Sequence, residues 1–289
     1  MNNAQPIGEL YWPPPALDAS RTVPYIRDMT SNDATRNVVD PLVPTVVCVP
    51  CFSGAPWDLD SLPGLSGLPT RTMRLPEDVD SVEAYADFLA DQVSDLPRYV
   101  LAGDSFGAVI SLALAARQPV GLEGLVLSGG FAANPLPQWK GIAARLSKLA
   151  TGLLYRQGTL RFHALQLGSR FDATAEIPHT QKDYRALFVK HTPRRSYTAR
   201  VTSVTSFNML DCLGRVDVPT LLITPADDRL VGAAAAAEML RGIRRAKEVV
   251  LPNTGHMFRF THPALYSSTI RSFVDTLERR PLPAQELPV

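Results

Sequence analysis

A serine with glycine two residues before it and two after it, Gly103-Asp104-Ser105-Phe106-Gly107, is the feature of this 289-residue chain best suited to covalent chemistry. With glycine near 7% of average usage, such a pentad arises by chance about 0.1 times in a chain of this length. Its setting sharpens it. Tyr99–Ala102 reads as a strand running in and Phe106–Ala116 as an apolar helix running out, so Ser105 would sit in a strained strand-to-helix turn. Glycines at 103 and 107 remove side chains that would collide in such a turn, and a helix N-terminus favours negative charge developing beside the hydroxyl. The plainer reading is a glycine turn ahead of a buried helix.

A serine hydroxyl needs a base near neutral pH. Of the five histidines, His163, His179, His191, His256 and His262, only His256 follows a predicted core strand, in Val249-Val250-Leu251-Pro252-Asn253-Thr254-Gly255-His256. His262 is the fallback, and the other three belong to a cap surface or pocket wall. The base in turn needs a carboxylate to hold its tautomer. Asp227 and Asp228 close the predicted strand Thr220–Thr224, at the end of a strand where α/β sheets place their sites. Adjacent side chains cannot both face one imidazole. One is the acid, the other a turn-maker.

The elements that must position these groups follow from apolar periodicity. Thr45–Val49, Arg71–Arg74, Tyr99–Ala102, Leu125–Leu127, Thr220–Thr224 and Glu248–Leu251 read as strands, several of them apolar throughout, as strands covered on both faces must be. Helical patterns lie between them at Ser81–Leu96, Phe106–Ala116, Ala233–Ile243 and Pro263–Leu277, with Ser81 a fitting N-cap. The alternation predicts an α/β fold with a mostly parallel central sheet flanked by helices. From 134 to 206 no strand pattern appears, while Trp139, Ile142, Leu146, Leu149 and Leu153 recur at helical spacing. That stretch holds 12 Lys/Arg against 3 Asp/Glu, a net +9, so the rest of a chain of net +1 carries −8. It reads as an inserted all-helical cap or lid, with core on both sides at 1–133 and 207–289. Seven prolines crowd the leader 1–44 and restrict it to extended or edge segments.

Composition narrows the function classes. At 45% hydrophobic and 20% charged the chain can bury a large core, and net +1 carries no bulk signature of nucleic-acid or membrane binding. Three cysteines, an odd count whose one CxxC spacing is Cys48-Val49-Pro50-Cys51, are too few for a disulfide framework or a Cys-rich zinc site. No HExxH, carboxylate–histidine ligand cluster or phosphate-cradling GxxxxGK[ST] is present, so no metal and no cofactor are expected. The first ten residues lack a signal-peptide pattern, and a cytoplasmic protein is expected.

With these residues in place, the chain resembles the α/β-hydrolase superfamily, whose triad runs Ser…Asp…His in sequence order. The resemblance covers Thr45 to about Leu277. It implies Ser105 as nucleophile and His256 as base. Its acid-loop pattern aligns Pro225-Ala226-Asp227-Asp228-Arg229-Leu230-Val231 and puts the acid at Asp228, although Pro225 stands where the family has glycine. The usual His-Gly oxyanion loop is replaced by Pro50-Cys51-Phe52-Ser53-Gly54. By position, the backbone N–H groups of Phe52 and Phe106 would form the oxyanion hole, with Cys51 a small apolar residue. Gly54 and Trp57 match the family's texture, and Trp57 and Trp139 are expected to contact substrate. The Asp-x-Arg-Gly-x-Gly segment of the family is missing, replaced by Arg74-Leu75-Pro76-Glu77-Asp78. The implied activity is hydrolysis of a small-molecule carboxylic ester through an acyl-enzyme. A serine at the elbow argues against the epoxide hydrolases and haloalkane dehalogenases, which use aspartate there. A thioesterase or acyltransferase acting on acyl-CoA or an acyl-carrier protein, drawn by the basic cap, is the alternative, as is a non-catalytic receptor on the same scaffold.

Overall fold

The computed structural model describes residues 43–277, so the proline-rich leader lies outside them except for its last two positions. Strands β1 (Thr45–Val49), β2 (Thr70–Thr72), β3 (Tyr99–Asp104), β4 (Leu122–Ser128), β5 (Thr220–Pro225) and β6 (Ala246–Leu251) form one sheet in the order β2-β1-β3-β4-β5-β6. Every pairing is parallel. The chain lays β2 on one side of β1 and then returns to place β3 on the other. This reversal opens a crevice above the carboxyl ends of β1 and β3, where ligands bind in such sheets.

The continuous apolar runs have a direct cause. Val47, Val49 and Leu101 point to one face, packed under α1 (Val82–Val93), α2 (Phe106–Ala115) and α7 (Ala233–Gly242). Val46, Cys48, Val100 and Ala102 point to the other, packed against α8 (Pro263–Leu277) through Tyr266, Ile270 and Val274. Both faces of the central strands are covered, so alternation disappears from the sequence. Helix α1 starts where Ser81 accepts a hydrogen bond from Ala84 N–H at 3.2 Å. Five strands differ in their bounds from the sequence reading, β3 and β5 by running on to Asp104 and Pro225. β4 begins at Leu122 and β6 at Ala246, and β2 covers Thr70–Thr72. β6 is an edge strand with Lys247, Glu248 and Val250 exposed, so its ends carry no apolar signal.

Between 134 and 206 the chain is helical: α3 (Gln138–Ser147), a π-helical turn (Leu154–Thr159), α4 (Leu160–Leu167), α5 (Gln181–His191) and α6 (Arg194–Ser206). Its entry and exit are pinned side by side by an antiparallel bridge between Ala133 and Asn208. Asn134 N–H donates to Phe207 C=O at 3.2 Å and Met209 N–H to Ala132 C=O at 2.9 Å. Tyr184 and Phe188 of α5, Tyr197 and Val201 of α6, and Leu160 and Ala164 of α4 bury together. Helix α3 differs, for it buries none of its residues, and the Trp139–Ile142–Leu146 stripe faces outward. Among the described residues, no helix is long and apolar enough to cross a membrane.

Candidate active site

Ser105 ends β3 and opens α2 with φ 54° and ψ −112°, a backbone conformation that costs energy in any residue bearing a side chain. The turn persists because its surroundings fix it. Ser105 N–H donates to Ser128 C=O on β4 at 2.7 Å, and its own carbonyl accepts from Ala108 N–H at 2.9 Å. A Cβ at Gly103 would lie 2.5 Å from Ala108 Cα, and one at Gly107 would lie 2.2 Å from the Val49 carbonyl oxygen. Only glycine lets α2 press this closely on the sheet.

The loop after β6 brings His256 back over the elbow. Its Nε2 lies 2.8 Å from Ser105 Oγ, across 151 residues of sequence. Its Nδ1 lies 2.8 Å from Asp228 Oδ2, which leaves Nε2 free to accept the serine proton when Nδ1 carries the hydrogen. The other Asp228 oxygen, Oδ1, accepts from Leu230 N–H at 2.9 Å and Val231 N–H at 3.0 Å, so the carboxylate cannot swing away. Burial works against the charged form of His256. The Asp228 carboxylate, by charge and hydrogen bond, and Asp104 by charge, outweigh it and hold the imidazole above its ordinary value. Burial likewise raises Asp228, but His256 and the two backbone donors prevail and hold it below the usual carboxylate range. Asp227 faces elsewhere. It accepts Ser169 Oγ–H from the helical insertion at 2.8 Å and pairs with Arg229 at 3.6 Å.

Three further residues tie this site together. Asp104, the residue before Ser105, is buried and pairs with Arg259 at 2.6 Å, three residues beyond His256. The Arg259 guanidinium lies over the rings of Trp57 (4.9 Å) and Phe260 (4.1 Å), and its Nη2 donates to Cys51 Sγ at 3.9 Å. One ion pair thus joins the elbow to the histidine loop and the loop after β1. From α6, the fully buried Arg200 donates Nη1–H to Phe52 C=O at 2.9 Å, Nη2–H to Pro76 C=O at 3.3 Å and Nε–H to Tyr85 Oη at 3.3 Å. Among the described residues it forms no ion pair. Neither Arg200 nor the Asp104–Arg259 pair is visible in local sequence pattern, since each joins positions more than 110 residues apart.

A cavity of about 470 Å³ opens over Ser105 and His256, walled by Phe52, Phe106, Phe131, Phe188 and Tyr197 among others. His163 lines it beside Phe52, its Nδ1 3.3 Å from Tyr197 Oη, and burial pushes its imidazole down to about 4. His262 pairs with its neighbour Thr261 instead, at 2.9 Å. Two expectations need correction. Trp57 is buried against Tyr266 and Arg259 beneath the loop, outside the cavity wall, because its backbone N–H is anchored to Thr72 Oγ1 at 2.8 Å. Trp139 is 60% exposed and turned outward by the register of α3, while its neighbour Lys140 lines the cavity. No cluster of three His, Cys, Asp or Glu able to hold a metal occurs among the described residues.

A serine elbow at the switch point of a parallel sheet, followed by a helical insertion, defines a class, and comparison with known proteins agrees. The chain belongs to the alpha/beta hydrolase family, whose profile matches residues 46–269. It is similar to the pimeloyl-[acyl-carrier protein] methyl ester esterase of Neisseria meningitidis, 27% identical over 251 residues, 84% of this chain and 90% of that one. Among solved structures it shares its fold with a hydrolase from Pseudomonas aeruginosa, with TM-score 0.69 and 19% identity over 80% of this chain and 90% of that one. A thermophilic esterase from Thermogutta terrifontis overlays with TM-score 0.66 and 18% identity, covering 82% and 90%.

Proposed function

We propose that the protein hydrolyses a carboxylic ester by a Ser105–His256–Asp228 triad through an acyl-enzyme. The observation that carries this reading is the unbroken pair of 2.8 Å contacts from Ser105 Oγ through His256 to Asp228. His256 Nε2 takes the hydroxyl proton as Oγ bonds to the ester carbon, and the carbonyl electron pair moves onto oxygen. The backbone N–H groups of Phe52 and Phe106 hold that oxyanion. Among the described residues, neither N–H is committed to a turn or cap bond. When the electron pair returns, the carbon–alkoxy bond breaks and His256 gives its proton to the leaving alcohol. Water, deprotonated by His256, then attacks the acyl carbon, and the acyl–Oγ bond breaks as the proton returns to Ser105.

Arg200 acts on this step from behind, as a positioning residue. It holds the Phe52 carbonyl, and with it the orientation of the loop that presents the Phe52 N–H. Among the described residues its charge is met only by neutral oxygens, so it adds positive potential where negative charge develops. The apolar walls suit an aliphatic or aromatic acyl group. The free cysteines, with Cys48 and Cys51 buried, support a reducing compartment and hence the cytoplasm.

The decisive experiment pairs a fluorophosphonate probe with p-nitrophenyl ester turnover. Wild type is expected to label at Ser105 and turn over. Ser105→Ala should lose labelling and lose turnover by about 10⁴-fold or more, with its circular dichroism unchanged. A wild-type protein that neither labels nor cleaves any ester would overturn the enzymatic reading.

A further inference from the structure

From residue 134 to 171 the chain contains six Lys/Arg and no Asp or Glu. Among the described residues, the same stretch carries most of the exposed large apolar side chains. Trp139, Ile142, Leu146, Leu149, Leu153 and Leu154 are 59–77% exposed, and Phe162 and Leu165 are each 45% exposed. Scattered surface leucines are ordinary, but a contiguous group marks an interaction face. This group is contiguous. Ile142, Leu146 and Leu149 follow one side of α3 and its exit, and Leu153 and Leu154 stand where the chain enters the π-helical turn. It is also continuous with the cavity, since Leu146, Leu149, Leu154 and Phe162 are lining residues as well as exposed ones.

Two properties select the occupant. Lys140, Arg145, Lys148, Arg156 and Arg161 alternate with these apolar residues along the chain without one intervening carboxylate, which attracts a densely anionic surface. The most exposed of these apolar side chains are Leu149, in the turn after α3, and Leu153, just before the π-helical turn, suited to shallow entry into the headgroup–acyl boundary. We propose that residues 134–171 form a docking face for an anionic lipid surface. There the mouth of the cavity is seated on the lipid, and the acyl chain of an ester can pass to Ser105 without crossing water. The whole-chain charge of +1 conceals this face, because the remaining residues, net negative, are repelled by the same surface and orient the molecule. Docking in this manner needs no spanning helix. It goes beyond ester hydrolysis, and its binding readout does not depend on catalysis.

The full chain would be sedimented with vesicles of phosphatidylglycerol and phosphatidylcholine, and with phosphatidylcholine alone. The expected result is binding to the anionic vesicles, lost near 1 M salt, where the Debye length is about 3 Å. Ile142→Glu with Leu153→Glu, both outside the cavity wall, should weaken binding roughly tenfold while hydrolysis of a soluble short-chain ester stays at the wild-type rate. Arg156→Glu with Arg161→Glu should remove the preference for anionic lipid. Ser105→Ala should bind like wild type, so that failure of the hydrolase reading and failure of docking give different patterns. Absence of sedimentation with either vesicle overturns the proposal, as does equal binding to both at all salt concentrations. A dimer in sedimentation velocity that Ile142→Glu with Leu153→Glu dissociates, without vesicle binding, would make the face a self-interface and also overturn it.

Discussion

The carboxyl edge of the sheet and the outer helix α3 solve opposite problems with the same kinds of residue. At the sheet edge Gly103 and Gly107 are pressed against backbone. Ser105, His256 and Asp228 are locked by bonds to each other and to main-chain groups. On α3 no residue is buried and the apolar side chains stand in solvent. The first region is over-determined, as a site needing sub-ångström placement must be. The second is tied to α6 through Arg145 and Lys148 and leaves its large apolar side chains exposed. Rigidity and adhesiveness are separated in space, and the cavity joins them.

The largest effect that would break this contrast is at Asp228. Asp228→Asn should lower kcat by about 10⁴-fold, since the amide stabilises the wrong imidazole tautomer. The acid limb of kcat/KM should also move. In the wild type, activity requires neutral His256, whose proton is held above its ordinary value chiefly by Asp228, so activity falls as pH drops through that raised value. Without the carboxylate the limb shifts to lower pH. Asp227→Asn, whose partners are Ser169 and Arg229, should leave both rate and limb nearly unchanged. A crippled Asp227→Asn would put the triad on the other carboxylate.

Next in size is Arg200→Met, which leaves the Phe52 carbonyl without its buried donor and takes one of two donors from Pro76 C=O, the other being the Tyr85 hydroxyl. A loss of about 2–5 kcal/mol in urea unfolding is expected, together with a fall in kcat of roughly tenfold or more at nearly constant KM. Arg200→Lys should recover part of kcat. A fall in stability with no change in kcat would make the arginine purely structural.

The smallest test sets one substitution in both regions. Gly107→Ala drives a methyl within 2.2 Å of Val49 C=O, where neither α2 nor β1 can yield, and should cost about 3 kcal/mol or more by thermal or urea unfolding. Gly141→Ala, inside α3 with only Asn134 Nδ2 near at 4.0 Å, should stabilise by about 0.5–1 kcal/mol. Equal penalties at the two sites would erase the distinction.

What the amino-acid sequence reveals follows the same division. The parallel sheet, the elbow at Ser105 and the loop after β6 are legible because strand burial, glycine spacing and turn chemistry are local. The choice between Asp227 and Asp228 needed the family's loop pattern, since both lie at the same strand end. Arg200, Asp104 and Arg259 left no local trace, for a buried charge is explained only by partners brought from distant segments. Trp57 was misread for a related reason. It follows the loop after β1 closely in sequence, but Thr72 anchors its backbone and its ring serves as a platform for Arg259. On α3 the 3.6-residue period was correct and still silent about direction, because a stripe facing solvent has the same spacing as one facing a core.

The spacing of the three site residues along the chain has one more effect. Position 105 leaves the ribosome long before 228 and 256 do, and only the last of these can accept its proton. Under the proposed triad, a polypeptide still being synthesised therefore carries an inert alcohol, and its base arrives only once the loop after β6 has closed over the elbow.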